Sequence, residues 1–474
     1  MVFSSSLFLL YFFPFFLVLY FLSPNKLRNL VIVLASILFY SWGGPKYIFI
    51  IFFSIIADFI FAKFIYKAQG VKRKIILGIA ISINLGFLAY FKYANFFLDN
   101  LNICLTHTGS NPIDFMRVAL PIGISFFTFH EMSYIIDVYR NDKPPMTSLI
   151  DYSLYILFFP QLIAGPIIRF NEIADQIINR KDQETIDNKL VGFFRFIIGL
   201  SKKVLIANVL GAEADKIFAM NISNMNTTTA LIGITSYAFQ IYFDFSGYSD
   251  MAIGIARMLG FIFPENFNNP YTSQSITEFW RRWHMTLSRW MRDYLYIPLG
   301  GSRVRSASRL YFNLWVVFLL SGLWHGASWH FVAWGTYHGL FLIADRLFLL
   351  KFLKWTGRIP ATIITFIITL VGWAFFRIAD ISVAFTFIGK MFAFNFTGDL
   401  LYFDTKFRFI MLLAFFFSFV RAFKIGEWLE NTFFATKFSL KGYYSMTFMS
   451  IILFIISVGY ITSSGFNPFI YFRF

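Results

Sequence analysis

Residues Tyr47–Phe97 read YIFIIFFSIIADFIFAKFIY, then KAQGVKRK, then IILGIAISINLGFLAYFKYANFF, and this stretch decides the fold. Each apolar run has the roughly 17–25 residues that an α-helix needs to cross a bilayer core. Between them Lys67, Lys72, Arg73 and Lys74 crowd one short polar connection. A chain that crosses, turns in a basic loop and crosses back is the elementary unit of a polytopic helical membrane protein.

The same pattern extends in both directions. Towards the N-terminus lie Leu7–Leu22 and Leu30–Trp42. Towards the C-terminus follow Leu120–Val138, Tyr152–Ile168, Leu190–Leu210, Ala230–Gly254, Leu310–Leu323, Phe331–Leu349, Ala361–Phe376, Phe409–Phe423 and Met446–Ile461. The expectation is an all-α membrane protein of about 11–13 helices, some of them re-entrant or interfacial. Leu7–Leu22 has no basic segment before it and no small-residue cleavage site after it, so it reads as a retained helix. With no internal repeat, low-complexity linker or separate soluble portion, residues 1–474 read as one membrane domain.

Composition agrees. Of 474 residues, 58% are hydrophobic and only 14% charged, too few charges to cover a soluble globule of this length. Disorder is excluded by the abundance of apolar surface. The net charge of +16 points to Lys and Arg beside an anionic leaflet rather than to nucleic acid. Basic residues alternate between successive loops if the N-terminus is extracytoplasmic, with Lys46 and Arg117 as exceptions; the signal blurs after Lys189, where Lys202 and Lys203 fall inside an apolar run and Arg281–Arg309 is dense in arginine yet rich in tryptophan. Cys104 is the only cysteine, which rules out an intrachain disulfide and Cys-rich metal sites.

Ionisable groups at membrane depth are functional candidates by default. Asp244 and Tyr248, in YFDFSGYSD from Tyr242, share one face of an apolar helix, either as polar lining for a substrate passage or as an interhelical clamp. In FWRRWHMTLSRWMRDY from Phe279, read as one amphipathic helix, Trp283, Leu287, Trp290 and Tyr294 form a stripe, with Arg282, Arg289 and Asp293 on another side. His284 falls between the faces, in line with Ser288 and Met291. In SGLWHGASWHF from Ser321, His325 ends an apolar run and is flanked by small residues that admit another backbone or a thin ligand. His330 and His338 read as packed histidines. His325, His330 and His338 lack the i, i+4 spacing of a helical zinc motif, and no metal is expected. Neither a phosphate-cradling loop nor a nucleophile-elbow motif is present, so any nucleophile comes from a substrate or partner.

Six stretches, in order, carry a resemblance: PIGISFFTFHEMSYIIDVYR from Pro121, FFPQLIAGPIIRF from Phe158, YFDFSGYSDMAIGIARMLGFIFPENFNNPY from Tyr242, SITEFWRRWHMTLSRWMRDYLYIPLGGSR from Ser275, LSGLWHGASWHFVAWGTYHG from Leu320 and GWAFFRIAD from Gly372. Together they resemble the membrane-bound O-acyltransferase superfamily, in its bacterial alginate O-acetyltransferase-like branch. The resemblance implies helices around a central tunnel, a catalytic histidine at His325 acting as general base, and a second catalytic histidine at His284 that, aided by Ser288 or Arg281, orients the donor or stabilises the developing oxyanion. Arg281, Ser288, Trp283, Trp324, Asp244 and Tyr248 are the candidates for lining the tunnel or holding the donor. It further implies transfer of acetyl from a cytoplasmic thioester such as acetyl-CoA, with no bound cofactor, across the bacterial cytoplasmic membrane. The acceptor would be an envelope glycan or an extracytoplasmic SGNH-type transferase. Transfer of D-alanyl to teichoic acid, or of acyl to lipid, is the nearer rival; a transporter or channel is the distant one.

Overall fold

A computed structural model of the chain describes residues 1–397 and 403–463; the rest of the expected domain, 398–402 and 464–474, lies outside the described residues. Among the described residues the secondary structure is helical throughout, with no strand. Every apolar run picked out in the sequence lies in or across helix. Among the described residues, five helices are individually long and apolar enough to span a membrane: Pro45–Lys67, Gly70–His107, Ala307–His325, Arg358–Arg377 and Leu440–Ser463. Thr405–Ala422 and Lys424–Phe433 make a sixth only as a pair bent by 96°. Several remaining runs are broken. Tyr152–Ile168 becomes the helix Leu149–Leu157 and a single turn Phe159–Leu162, because Pro160 cannot continue the first helix and starts the second.

The chain groups into two compact units. The first comprises Met1, Leu7–Glu184 and Leu259–Phe263. Its helices Ile48–Lys67, Gly70–Leu88 and Ile124–Arg140 bury a polar cluster. Asn84 Nδ2 donates to both carboxylate oxygens of Asp58, at 3.1 and 2.9 Å, and Ser54 Oγ donates to Glu131 Oε1 at 2.5 Å. Buried polar groups in an apolar solvent must find such partners, and these bonds pin the helices to one another.

The second unit comprises Val2–Ser6, Thr185–Met258 and Pro264–Phe474. Its keystone is the buried helix Thr227–Met258, crossed by Ile186–Ser201. Gly192 meets Gly254, and Gly199 meets Gly247: a Cβ on Gly192 would lie 2.7 Å from the Gly254 carbonyl oxygen, and one on Gly247 would lie 2.7 Å from that of Gly199. Two glycines per helix, seven residues apart, thus let the backbones touch. Beyond the crossing, a π-helical stretch, Lys202–Ala207, turns two lysines back onto the long helix. Lys202 reaches Asp250 and Lys203 reaches Asp244, each at 2.6 Å. The alternation of basic loops fails here because these cations are neutralised inside the protein.

Alanine normally stabilises a helix relative to glycine by about 0.5–1 kcal/mol. Gly254→Ala should reverse that sign and destabilise by about 1–3 kcal/mol, since the obstructing atoms are backbone. Gly78→Ala, whose methyl meets nothing within 4 Å, should not. Thermal unfolding of the detergent-solubilised variants distinguishes the two.

Candidate active site

The segment Phe279–Tyr294 is not one helix. Ile276–Arg282 ends at Trp283, which is extended, and Met285–Met291 starts anew after His284, which has left-handed dihedrals (φ 43°, ψ 54°). The first short helix is capped by Ser275, whose Oγ accepts from Glu278 N at 3.1 Å, while Glu278 Oε2 accepts from Gln274 N, just before the cap, at 2.8 Å. The arrangement corrects the expectation of a continuous amphipathic helix with His284 in line with Ser288 and Met291. The periodic stripe survives only from Met285 onward, and His284 is the cap of the second helix.

A strap at residues 265–268 holds the break open. Asn268 N donates to Arg282 O at 2.9 Å, and Met285 N donates to Asn266 O at 2.9 Å. These are backbone groups, on half-buried residues, that an interrupted helix would otherwise leave without a helical partner. The Asn266 side chain completes the strap. Its Oδ1 accepts from Thr286 Oγ1 at 2.9 Å and from Thr286 N at 3.3 Å, and lies 3.0 Å from His284 Nδ1. Its Nδ2 donates to Ser249 Oγ on the long helix at 2.9 Å.

His284 is only 1% exposed, and its ring stands perpendicular to Phe245 at 4.7 Å. Burial, and after it the neighbouring His325, hold its pKa well below the ordinary histidine range, so the imidazole is neutral at physiological pH. His284 Nε2 is buried and has no hydrogen-bond partner among the described residues.

His325 is the last residue of Ala307–His325. Trp324 lies against both histidines, with centroids 4.9 Å from His325 and 6.2 Å from His284. Trp334 and Phe376 meet the His325 ring nearly edge-on, each at 5.2 Å. Three aromatic walls fix the imidazole, yet His325 remains half-buried rather than sealed. The room left by the flanking glycines is taken by protein: a Cβ on Gly326 would overlap the Phe331 ring, and one on Gly322 would overlap the Phe331 backbone.

The other candidates divide. Trp283 joins an aromatic cluster with Tyr242, Phe267, Phe279 and Trp373. Ser288 Oγ donates to Trp280 O at 3.0 Å, which ties the two short helices together. Arg281 is exposed. Asp244 is paired with Lys203, and Tyr248 stacks on Phe3 at 4.5 Å, so both are engaged within the unit. His330 Nδ1 lies 3.1 Å from Phe375 O, and His338 packs on Trp280 and Trp334. No three His, Cys, Asp or Glu side chains converge as a metal set among the described residues. Sequence reasoning passed over Asn266, Trp334 and Phe376. Asn266 sits in a polar stretch that looks like an ordinary loop, and its only signal is that an Asn there has many possible partners.

His284 and His325 thus flank one tryptophan within a helical unit. The model of the MBOAT, membrane-bound O-acyltransferase family matches residues 125–379, and the chain belongs to that family. It is 46% identical over 407 residues to the probable alginate O-acetylase of Pseudomonas aeruginosa, covering 83% of this chain and 75% of that protein. It is 36% identical to the peptidoglycan O-acetyltransferase of Helicobacter pylori, over 83% and 80% of the two chains. It is 31% identical to the teichoic acid D-alanyltransferase of Bacillus subtilis, over 48% and 59%. The chain is therefore a multi-pass membrane O-acyltransferase, and its relatives are consistent with O-acetylation of an envelope polymer.

The Lys203–Asp244 pair, at most 3% exposed on either side chain, generates a test of structure. Lys203→Met strands a buried carboxylate and should destabilise the fold by about 3–5 kcal/mol. Adding Asp244→Asn removes the stranded charge and should restore most of the lost melting temperature and detergent-extracted yield.

Proposed function

We propose that this enzyme moves acetyl groups from a cytoplasmic thioester, acetyl-CoA in the simplest case, to the extracytoplasmic side of the bacterial cytoplasmic membrane for O-acetylation of an envelope polysaccharide. His325 is the general base. The observation that carries this reading is an imidazole fixed by three aromatic walls at the end of an apolar helix and still half-open. Its nitrogen takes the proton from an attacking hydroxyl as the new C–O bond forms at the thioester carbonyl. The C–S bond then breaks, and the imidazolium returns that proton to the departing thiolate. Positioned general bases contribute about 10²–10⁴ in rate.

A passage through the membrane suits this chemistry because acetyl is small and uncharged, whereas coenzyme A carries phosphates that are expensive to place in hydrocarbon. The reading has the N-terminus outside and the basic loops on the donor side. The attacking hydroxyl belongs either to the glycan or to the serine of an SGNH-type partner that completes the transfer. One comparison favours acetyl over D-alanyl: the two O-acetyl-transferring relatives match 83% of this chain, whereas the D-alanyl-transferring one matches 48%.

The test compares O-acetyl ester in isolated envelope polymers from cells with wild-type protein, with His325→Ala and with His325→Gln. Both variants should reach the membrane in normal amount and lose ester at least 100-fold. Wild-type ester content in His325→Ala cells would remove the base; flux of an ion or solute that survives His325→Gln would favour a channel.

A further inference from the structure

We infer that His284 acts through a bare Nε2 lone pair, accepting a hydrogen bond from an N–H or O–H of the bound substrates, and that Asn266 is the positioning residue that fixes it in this state. The inference rests on the acyl-transfer reading above and assigns a role within it.

The argument is one of hydrogen-bond inventory. A backbone N–H can only donate, so the Asn266 atom 3.3 Å from Thr286 N is the amide oxygen. The other amide atom, 2.9 Å from Ser249 Oγ, is then the nitrogen. An amide oxygen can only accept, so the His284 nitrogen 3.0 Å from it carries the proton. A neutral imidazole has a single N–H. With that proton on Nδ1, Nε2 is an acceptor. It is buried without a partner among the described residues, on a ring beside the Trp324 that also contacts His325. In this tautomer the ring cannot donate to a developing oxyanion, and stabilising that charge falls to other groups.

The left-handed backbone at His284 supports a dedicated orientation. His284 has φ 43°, and a non-glycine residue in this region costs roughly 1–2 kcal/mol. Five hydrogen-bonding atoms converge on Asn266: His284 Nδ1, Thr286 N, Thr286 Oγ1, Ser249 Oγ and Met285 N. Two groups match the acceptor that results: the acceptor alcohol, whose hydroxyl it would orient towards His325, or an amide N–H of the donor's thioester arm.

The experiment uses membrane vesicles carrying the full-length protein, radiolabelled acetyl-CoA as probe and base-labile acetyl in the endogenous polymer as readout, from pH 5.5 to 9.5. Asn266→Asp puts a carboxylate on Nδ1–H, raises the His284 pKa and protonates Nε2. Activity should fall at least tenfold at pH 7 and recover as pH rises, so the acid limb moves upward by one pH unit or more. Asn266→Ala should lose at least tenfold with no shift of that limb. A merely structural Asn266 would lower activity equally at every pH, or not at all, and either result overturns the inference. In His284→Phe, a raised KM for acetyl-CoA with kcat within threefold assigns the lone pair to the thioester arm; a kcat lowered at unchanged KM assigns it to the alcohol. Wild-type values for both overturn it. Loss of wild-type acetyl transfer itself, or its survival in His325→Ala, strikes the underlying reading instead and is scored before the Asn266 series.

Discussion

The interaction that organises the Trp283–His284 turn of the second unit is the clasp between the 265–268 strap and the interrupted helix. Without it, Arg282 O and Met285 N, on half-buried residues, would lose their backbone partners, and the left-handed turn would have less to offset its strain. With it, the chain stops one helix and restarts another within two residues. The same clasp reaches the long helix through Ser249, so the histidine is registered against the most buried helix of the unit.

Much of the architecture was legible in the chain because apolar length is a local property. Runs such as Tyr47–Tyr66 and Ala361–Phe376 can only be helices in an apolar solvent, and they are. The break at His284 was not legible. No proline or glycine marks it, and the Trp283, Leu287, Trp290, Tyr294 pattern carries straight across it. What breaks the helix is Asn266, a partner separated by a whole loop and silent in local periodicity. The resemblance pointed to both histidines; it could not supply the tautomer, which depends on which atom Thr286 N touches.

Asp244 teaches a related lesson. An acid in an apolar helix is equally a passage lining or a clamp until its partner is known. The partner, Lys203, was visible as an oddity, a lysine inside an apolar run, yet nothing local joined the two. Their pairing explains why both charges are tolerated in a buried setting. Such a pair is expensive to break and adds little over an apolar replacement, so its value lies in the register it imposes on two crossing helices. The glycine contacts one turn on impose the same register sterically.

His325 closes its helix, with Gly326 beyond it in extended conformation. The aligned peptide dipoles of Ala307–His325 leave a partial negative charge at that end, and the field is little screened where water is scarce. In the proposed reaction the ring becomes a cation for the interval between taking a proton from oxygen and giving it to sulfur. Its position at the carboxyl end of a long helix gives that short-lived cation a built-in counter-charge.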